Sequence, residues 1–183
     1  MYDYEFVDGN LEKDPLQVIL NYIEGGNVEF VGMTVMPGPQ LKQAIPYAKK
    51  IKEQYPDINM IWGGYFASNQ FKVVLDSGYV DYVINGPGDE AFPLLLDALS
   101  EGKIEEISSI PNLIYKEEGL IVKTKKAPLP DMDKLPAFAY EKLNDVYPIK
   151  DYLAKTFMGS KTFSYHSSFG CPFTCSFCAV VPI

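Results

Sequence analysis

Residues 1–103 switch repeatedly between two hydrophobic periods, and this alternation limits the fold more than any other feature of the chain. "YEFVD" (4–8) reads as a strand. "DPLQVILNYIEGG" follows, with Asp14 as N-cap, Pro15 at the first helical position, apolar residues at 16, 19, 20 and 23, and Gly25 or Gly26 to end the helix. "EFVGMTV" (29–35) is an apolar, β-rich run. "PQLKQAIPYAKKIKEQYP" then places apolar residues at 41, 44, 45, 48 and 51, and Pro46 is expected to kink that helix. "INMIWGG" (58–64) and "VDYVIN" (80–85) read as strands on either side of a short helix near 69–76. "DEAFPLLLDALSEG" completes the series as a helix with acids in its first turn and Gly102 at its end. Strands without clean alternation, separated by helices, predict a parallel sheet covered on both faces.

Ligands on such sheets bind outside the carboxyl ends of the strands. Three loops fall there: "TVMPGP" (34–39), "GGYFAS" (63–68) and "NGPGDE" (85–90). Their glycines serve tight strand-to-helix turns in any case. Their gathering at one edge is what points to a ligand.

Residues 104–160 break the rhythm. "NLIYKEEGLIVKT" reads as a β-hairpin turning at Glu-Glu-Gly, and "APLPDMDKLPAF" as an extended connector. "AYEKLNDVYPIKDYLAKTF" has room for one or two short helices. "KTFSYHSSF" (161–169) alternates as a strand and leads directly into the cysteines.

Composition narrows the class. Apolar residues make up 47% of the 183, which marks a globular chain. No apolar run reaches the ~20 residues of a membrane helix, and the start lacks a signal peptide, so a cytoplasmic location is the expectation. The net charge of −8 and the absence of arginine argue against nucleic acid as a partner.

"GCPFTCSFC" (170–178) contains all three cysteines, Cys171, Cys175 and Cys178, in a C-x3-C-x2-C array. Three readings compete. A structural zinc site would need His166 as fourth ligand, yet along a strand His166 would stand ~16 Å from Cys171 at ~3.3 Å per residue. Such sites also draw ligands from two separate turns, and there is no second pair. Incidental core cysteines would not cluster in eight positions with none elsewhere. In the third reading the thiolates hold three irons of a [4Fe–4S] cube, leaving one iron open for a substrate or cosubstrate.

The array, with aromatic Phe177 before its last cysteine, resembles that of the radical S-adenosylmethionine (SAM) enzymes. The resemblance implies that SAM chelates the fourth iron, that Phe177 supports its adenine, and that electron transfer yields a 5′-deoxyadenosyl radical. Upstream, "FVGMT", "WGGYFAS", "VINGPGDEAF", the hairpin and "DKLPAFAYEKL" look like the N-terminal half of cobalamin-binding radical SAM enzymes, a likeness that covers nearly the whole chain. The implied fold is a Rossmann-like (flavodoxin-like) parallel sheet flanked by helices over 1–103, a hairpin and linker over 104–160, and the first strand and cluster loop of a truncated radical SAM TIM-type barrel over 161–183. The implied cobalamin contacts are Thr34, Met36, Gly38, Gly63, Gly64, Tyr65, Gly86, Gly88 and Asp89. Asp8 reads instead as a turn residue.

Three departures stand out. The Asp-x-His-x-x-Gly signature of histidine-ligated corrinoids is missing. Relatives carry one more strand–helix unit before "YEFVD", whose absence is expected to leave a gap in the sheet. Phe169 stands where relatives often have Arg. A (β/α) barrel needs roughly 200 residues or more, so the chain reads as a fragment of a longer enzyme, inactive alone. The expected enzyme is a cobalamin-dependent methyltransferase acting on a small-molecule substrate and served by a flavodoxin- or ferredoxin-type electron donor. The alternative is a non-catalytic corrinoid- or nucleotide-binding module with structural zinc at the cysteines.

Overall fold

A computed structural model describes residues 2–26, 28–137, 139–163, 171, 173 and 175–178. The chain forms two compact units, one of Met1–Gly25 with Asp131–Phe169, the other of Gly26–Pro130 with Gly170–Ile183.

The second unit is built on a five-stranded sheet in the order β1 (Phe30–Thr34), β2 (Asn59–Gly63), β3 (Tyr82–Ile84), β4 (Leu113–Glu117) and β5 (Leu120–Lys123). The first three strands run parallel, in register Phe30↔Asn59 and Ile61↔Tyr82. Between them lie α2 (Pro39–Gln54), then α3 (Gly64–Asn69) and α4 (Phe71–Asp76). Both crossovers step the same way along the sheet, so right-handed connections put these helices on one face. Helix α5 (Ala91–Ser100) covers the other face. Ile61, Ile84, Leu95, Leu96, Ile107 and Leu113 form its buried cluster, while strand alternation sends Met60 and Trp62 the opposite way. α5 ends as the sequence predicts: Gly102 takes φ +69° and Lys103 N donates to Ala98 O at 2.8 Å.

The sequence expectation needs four corrections. Residues 4–8 form no strand: they have an extended apolar pattern but pair with no neighbouring strand. The sheet has no gap, since β1 and β2 pair along their whole length. The three strands of residues 1–103 are parallel as expected, but the hairpin also joins their sheet, β4 pairing antiparallel with β3 (Val83↔Ile114) and with β5. The helix expected near 69–76 is α4, but the stretch 63–68 read as a loop is itself helical, as α3. The hairpin turns at Glu118 (φ 49°) and Gly119 (φ 81°), the paired positive φ that a two-residue hairpin requires. α2 runs from Pro39 to Gln54 through Pro46, burying Ala44, Ala48 and Ile51. That buried stripe holds the helix despite the hydrogen bond Pro46 cannot donate.

The first unit holds α1 (Pro15–Gly25), α6 (Tyr140–Val146), and a ribbon of β6 (Ala154–Thr156) and β7 (Gly159–Thr162). Asp14 caps α1 as read, its Oδ1 accepting from Gln17 N at 3.1 Å. Asp8 is a turn residue, accepting from Asn10 N at 2.8 Å and from the Tyr152 hydroxyl at 2.7 Å. Tyr147, which packs edge-on against Phe6, donates to Glu12 at 2.8 Å. β7 overlaps the start of the strand expected at 161–169, and residues 164–169 lie outside the described residues.

Candidate functional site

The parallel strands deliver their three following loops to one edge of the sheet. Two of those loops are stitched together by backbone. Val35, fully buried, donates its N–H to Gly63 O at 3.0 Å and accepts from Phe66 N at 3.0 Å. Thr34 and Met36 on either side of it are exposed, and Met36 N donates to Gln40 Oε1 at 2.8 Å. Gly64 sits directly against this seam with φ +84°. A Cβ there would stand 3.0 Å from both Val35 N and Val35 O, and 3.2 Å from Thr34 Cγ2. The close approach of two loops thus depends on Gly64 lacking a side chain.

The third loop is tied to the second through Ser68. Its hydroxyl, buried in α3, donates to Ile84 O at 3.3 Å and accepts from Gly86 N at 3.0 Å. Gly86 takes φ +104° to make that reach. A Cβ on Gly63 would come 3.9 Å from Ile84 Cβ, and one on Gly88 3.5 Å from Ile84 Cγ2. Gly63 and Gly88 therefore flank the same residue.

The hairpin braces this edge from the side. Asn112, buried at φ 56°, accepts from Asn85 N through its carbonyl at 2.7 Å and from Ala127 N through Oδ1 at 2.9 Å.

Of the residues read from the sequence, Thr34, Gly63, Gly64, Gly86 and Gly88 come together here. Tyr65 is half-buried in the first turn of α3, Met36 and Asp89 are exposed, and Gly38 (φ +103°) caps α2 with open space around it. Sequence reading missed Ser68, Asn85 and Asn112. Ser68 lies inside the quoted "GGYFAS" stretch, but a lone serine carries no periodic signal.

The three cysteines are free thiols, Cys171 and Cys175 exposed and Cys178 half-buried. Cys178 N donates to Cys175 O at 3.0 Å, closing a turn between them. Phe177 is 91% exposed. Among the described residues no three His, Cys, Asp or Glu side chains gather closely enough to hold a metal ion; His166 lies outside those residues. A depression of ≈ 380 Å³ lies elsewhere, along the C-terminal half of α5, where Lys103 is paired with Glu101 at 2.7 Å. It has neither the glycines nor the strand ends of the loop edge. Among the described residues no helix is long and apolar enough to cross a membrane.

The loop edge fits a corrinoid. It gathers the glycines of three strand-end loops, the exposed Thr34, and one buried acceptor, Asn85 Oδ1, with no donor among the described residues. The cysteine loop fits an iron–sulfur cluster in donor chemistry, three thiols held in no disulfide.

Comparison with known proteins agrees. Residues 1–96 match the family model of the B12 binding domain. An uncharacterized methyltransferase of Pyrococcus horikoshii is 28% identical over 180 residues, 97% of this chain and 37% of the relative. The hopanoid C-3 methylase of Methylococcus capsulatus is 30% identical over 145 residues, 75% of this chain and 25% of the relative. The chain thus spans between a quarter and two-fifths of these proteins. Among solved structures, the radical S-adenosylmethionine methyltransferase TsrM of Kitasatospora setae with cobalamin and a [4Fe–4S] cluster bound shares the fold. It superposes with TM-score 0.51 at 23% identity, over 65% of this chain and 22% of that one.

Proposed function

Because the chain belongs to the B12-binding domain family, we propose that its loop edge holds cobalamin and that it is the N-terminal part of a cobalamin-dependent radical SAM methyltransferase. The observation that supports this reading is the gathering of Thr34, Gly63, Gly64, Gly86 and Gly88 at the carboxyl ends of the parallel strands, where the Val35–Gly63 seam and the Ser68 hydroxyl hold the loops together. The methyltransferase relatives support the second half.

Thr34, Gly63, Gly64, Gly86 and Gly88 would line the corrinoid, with backbone amides and the Thr34 hydroxyl addressing its polar groups. Met36, Gly38, Tyr65 and Asp89 stand at the rim. The chain has no histidine among residues 1–165 to serve as a cobalt ligand from this domain. Cys171, Cys175 and Cys178 would hold the [4Fe–4S] cluster, with Phe177 beside bound SAM. When bound, these groups supply the methyl carrier and the one-electron chemistry. The protein's part is to ligate and orient them and to exclude water. The small-molecule substrate, the flavodoxin- or ferredoxin-type electron donor and the cytoplasmic setting belong to the same proposal. So do a domain division near residue 103, a hairpin and linker over 104–160, and a barrel beginning at 161 with the strand before the cysteine loop.

The test is co-elution. The purified chain is mixed with hydroxocobalamin and passed over a desalting column. Corrinoid absorbance should travel with the protein, and should be lost with Gly64→Ala.

A further inference from the structure

Asn85, the residue after β3, has a backbone fixed on every side and a side chain with nothing to do. Its own N–H donates to Asn112 O at 2.7 Å. The carbonyl before it, Ile84 O, accepts from the Ser68 hydroxyl at 3.3 Å, and the N–H after it, Gly86 N, donates to that same hydroxyl at 3.0 Å. Two different elements, α3 and the hairpin, therefore clamp one residue at the carboxyl edge.

Asn85 Oδ1 is buried and, among the described residues, has no hydrogen-bond donor. A buried acceptor left without a donor is destabilising, and no described neighbour donates to it. Among the described residues one other buried side-chain polar atom lacks a partner, Trp62 Nε1. Trp62 is 1% exposed in the core. Asn85 is half-buried, in the loop between Gly63 and Gly88, which both approach its neighbour Ile84.

We propose that Asn85 is a recognition residue of the corrinoid site, its carboxamide oxygen accepting a hydrogen bond from an N–H or O–H donor of the ligand. The assignment rests on the corrinoid reading above. Cobalamin offers two sources of such a donor: the amides around the corrin ring, and the hydroxyl-bearing nucleotide tail. An acceptor pre-positioned by three backbone constraints loses little freedom on binding, which is how a single hydrogen bond comes to discriminate.

The experiment titrates the chain with cobalamin and with cobinamide, which lacks the nucleotide tail. The readout is quenching of the chain's one tryptophan, with melting temperature followed in parallel. Asn85→Leu keeps the volume and removes the orphan acceptor, so its melting temperature should hold or rise. Its cobalamin affinity should fall about tenfold, the loss of one discriminating hydrogen bond. Asn85→Asp keeps the oxygen and should stay within about threefold of wild type. Asn85→Ser serves if the leucine variant does not fold, with the same loss expected. Loss towards both ligands assigns the donor to the ring amides; loss towards cobalamin alone assigns it to the tail. Wild-type affinity in Asn85→Leu, or equal loss in Asn85→Asp, overturns the assignment. Failure of wild type to bind either ligand contradicts the corrinoid reading itself and removes the assignment with it.

Discussion

Ser68 Oγ accepts from Gly86 N at 3.0 Å, so a hydroxyl in the helix after β2 fixes the turn after β3. Ser68→Ala leaves Gly86 N without that acceptor and Ile84 O without that donor. The variant should lose about 1–3 kcal/mol of stability in urea unfolding. Ser68→Thr, which keeps the hydroxyl, should recover most of it. Equal losses in both variants would show that packing, not the hydroxyl, holds the turn.

Gly64→Ala combines a left-handed backbone with a Cβ 3.0 Å from Val35 N and O. Backbone cannot step aside as a flexible side chain does, so a loss of about 2–4 kcal/mol is expected. Gly25→Ala meets nothing within 4 Å and should change stability by less than about 0.5 kcal/mol. Thermal melts of the two variants side by side make the comparison.

At the opposite end of the sheet, Lys52 Nζ reaches Asp81 at 3.0 Å and also donates to Pro56 O and Ile58 O. Asp81 Oδ2 in turn accepts from Met60 N at 2.7 Å. Lys52→Met strands a partly buried carboxylate and should cost about 1–3 kcal/mol. In a double-mutant cycle with Asp81→Asn the two losses should not add. Additive losses would mean that the pair is incidental.

Alkaline pH should weaken the first unit. Burial, followed by the Asp8 carboxylate beside its hydroxyl, holds the Tyr152 phenol well above its ordinary value of 10.0. Burial and Glu12 push Tyr147 in the same direction. A raised value in the folded state means that the folded chain keeps protons the unfolded chain gives up. That stability is whole below pH 10 and drains away as pH rises further. Tyr152→Phe should flatten the fall, as read from circular dichroism melts between neutral and strongly alkaline buffer.

The parallel strands and their helices were legible because apolar period and cap chemistry are local. Asp14, Gly102 and Gly119 behave as their residue types require, while Glu118 takes a positive φ because the two-residue hairpin demands it. The mixed sheet was not legible, since nothing in "NLIYKEEGLIVKT" says which edge a hairpin joins. Residues 4–8 mislead for the same reason: a strand exists only where a neighbour pairs with it. At the site, the glycines could be read and the clamps could not. Ser68, Asn85 and Asn112 act across 16 to 27 positions of sequence, through contacts that no periodicity encodes.

One elemental analysis tests the whole account most directly. The chain is loaded anaerobically with cobalamin, iron and sulfide, desalted, and assayed for cobalt, iron, zinc and acid-labile sulfide on one sample. The account predicts ~1 cobalt with ~4 iron and matching sulfide per chain, since a cubane cluster holds that number. Zinc at the cysteines without sulfide, and no cobalt retained, would contradict it.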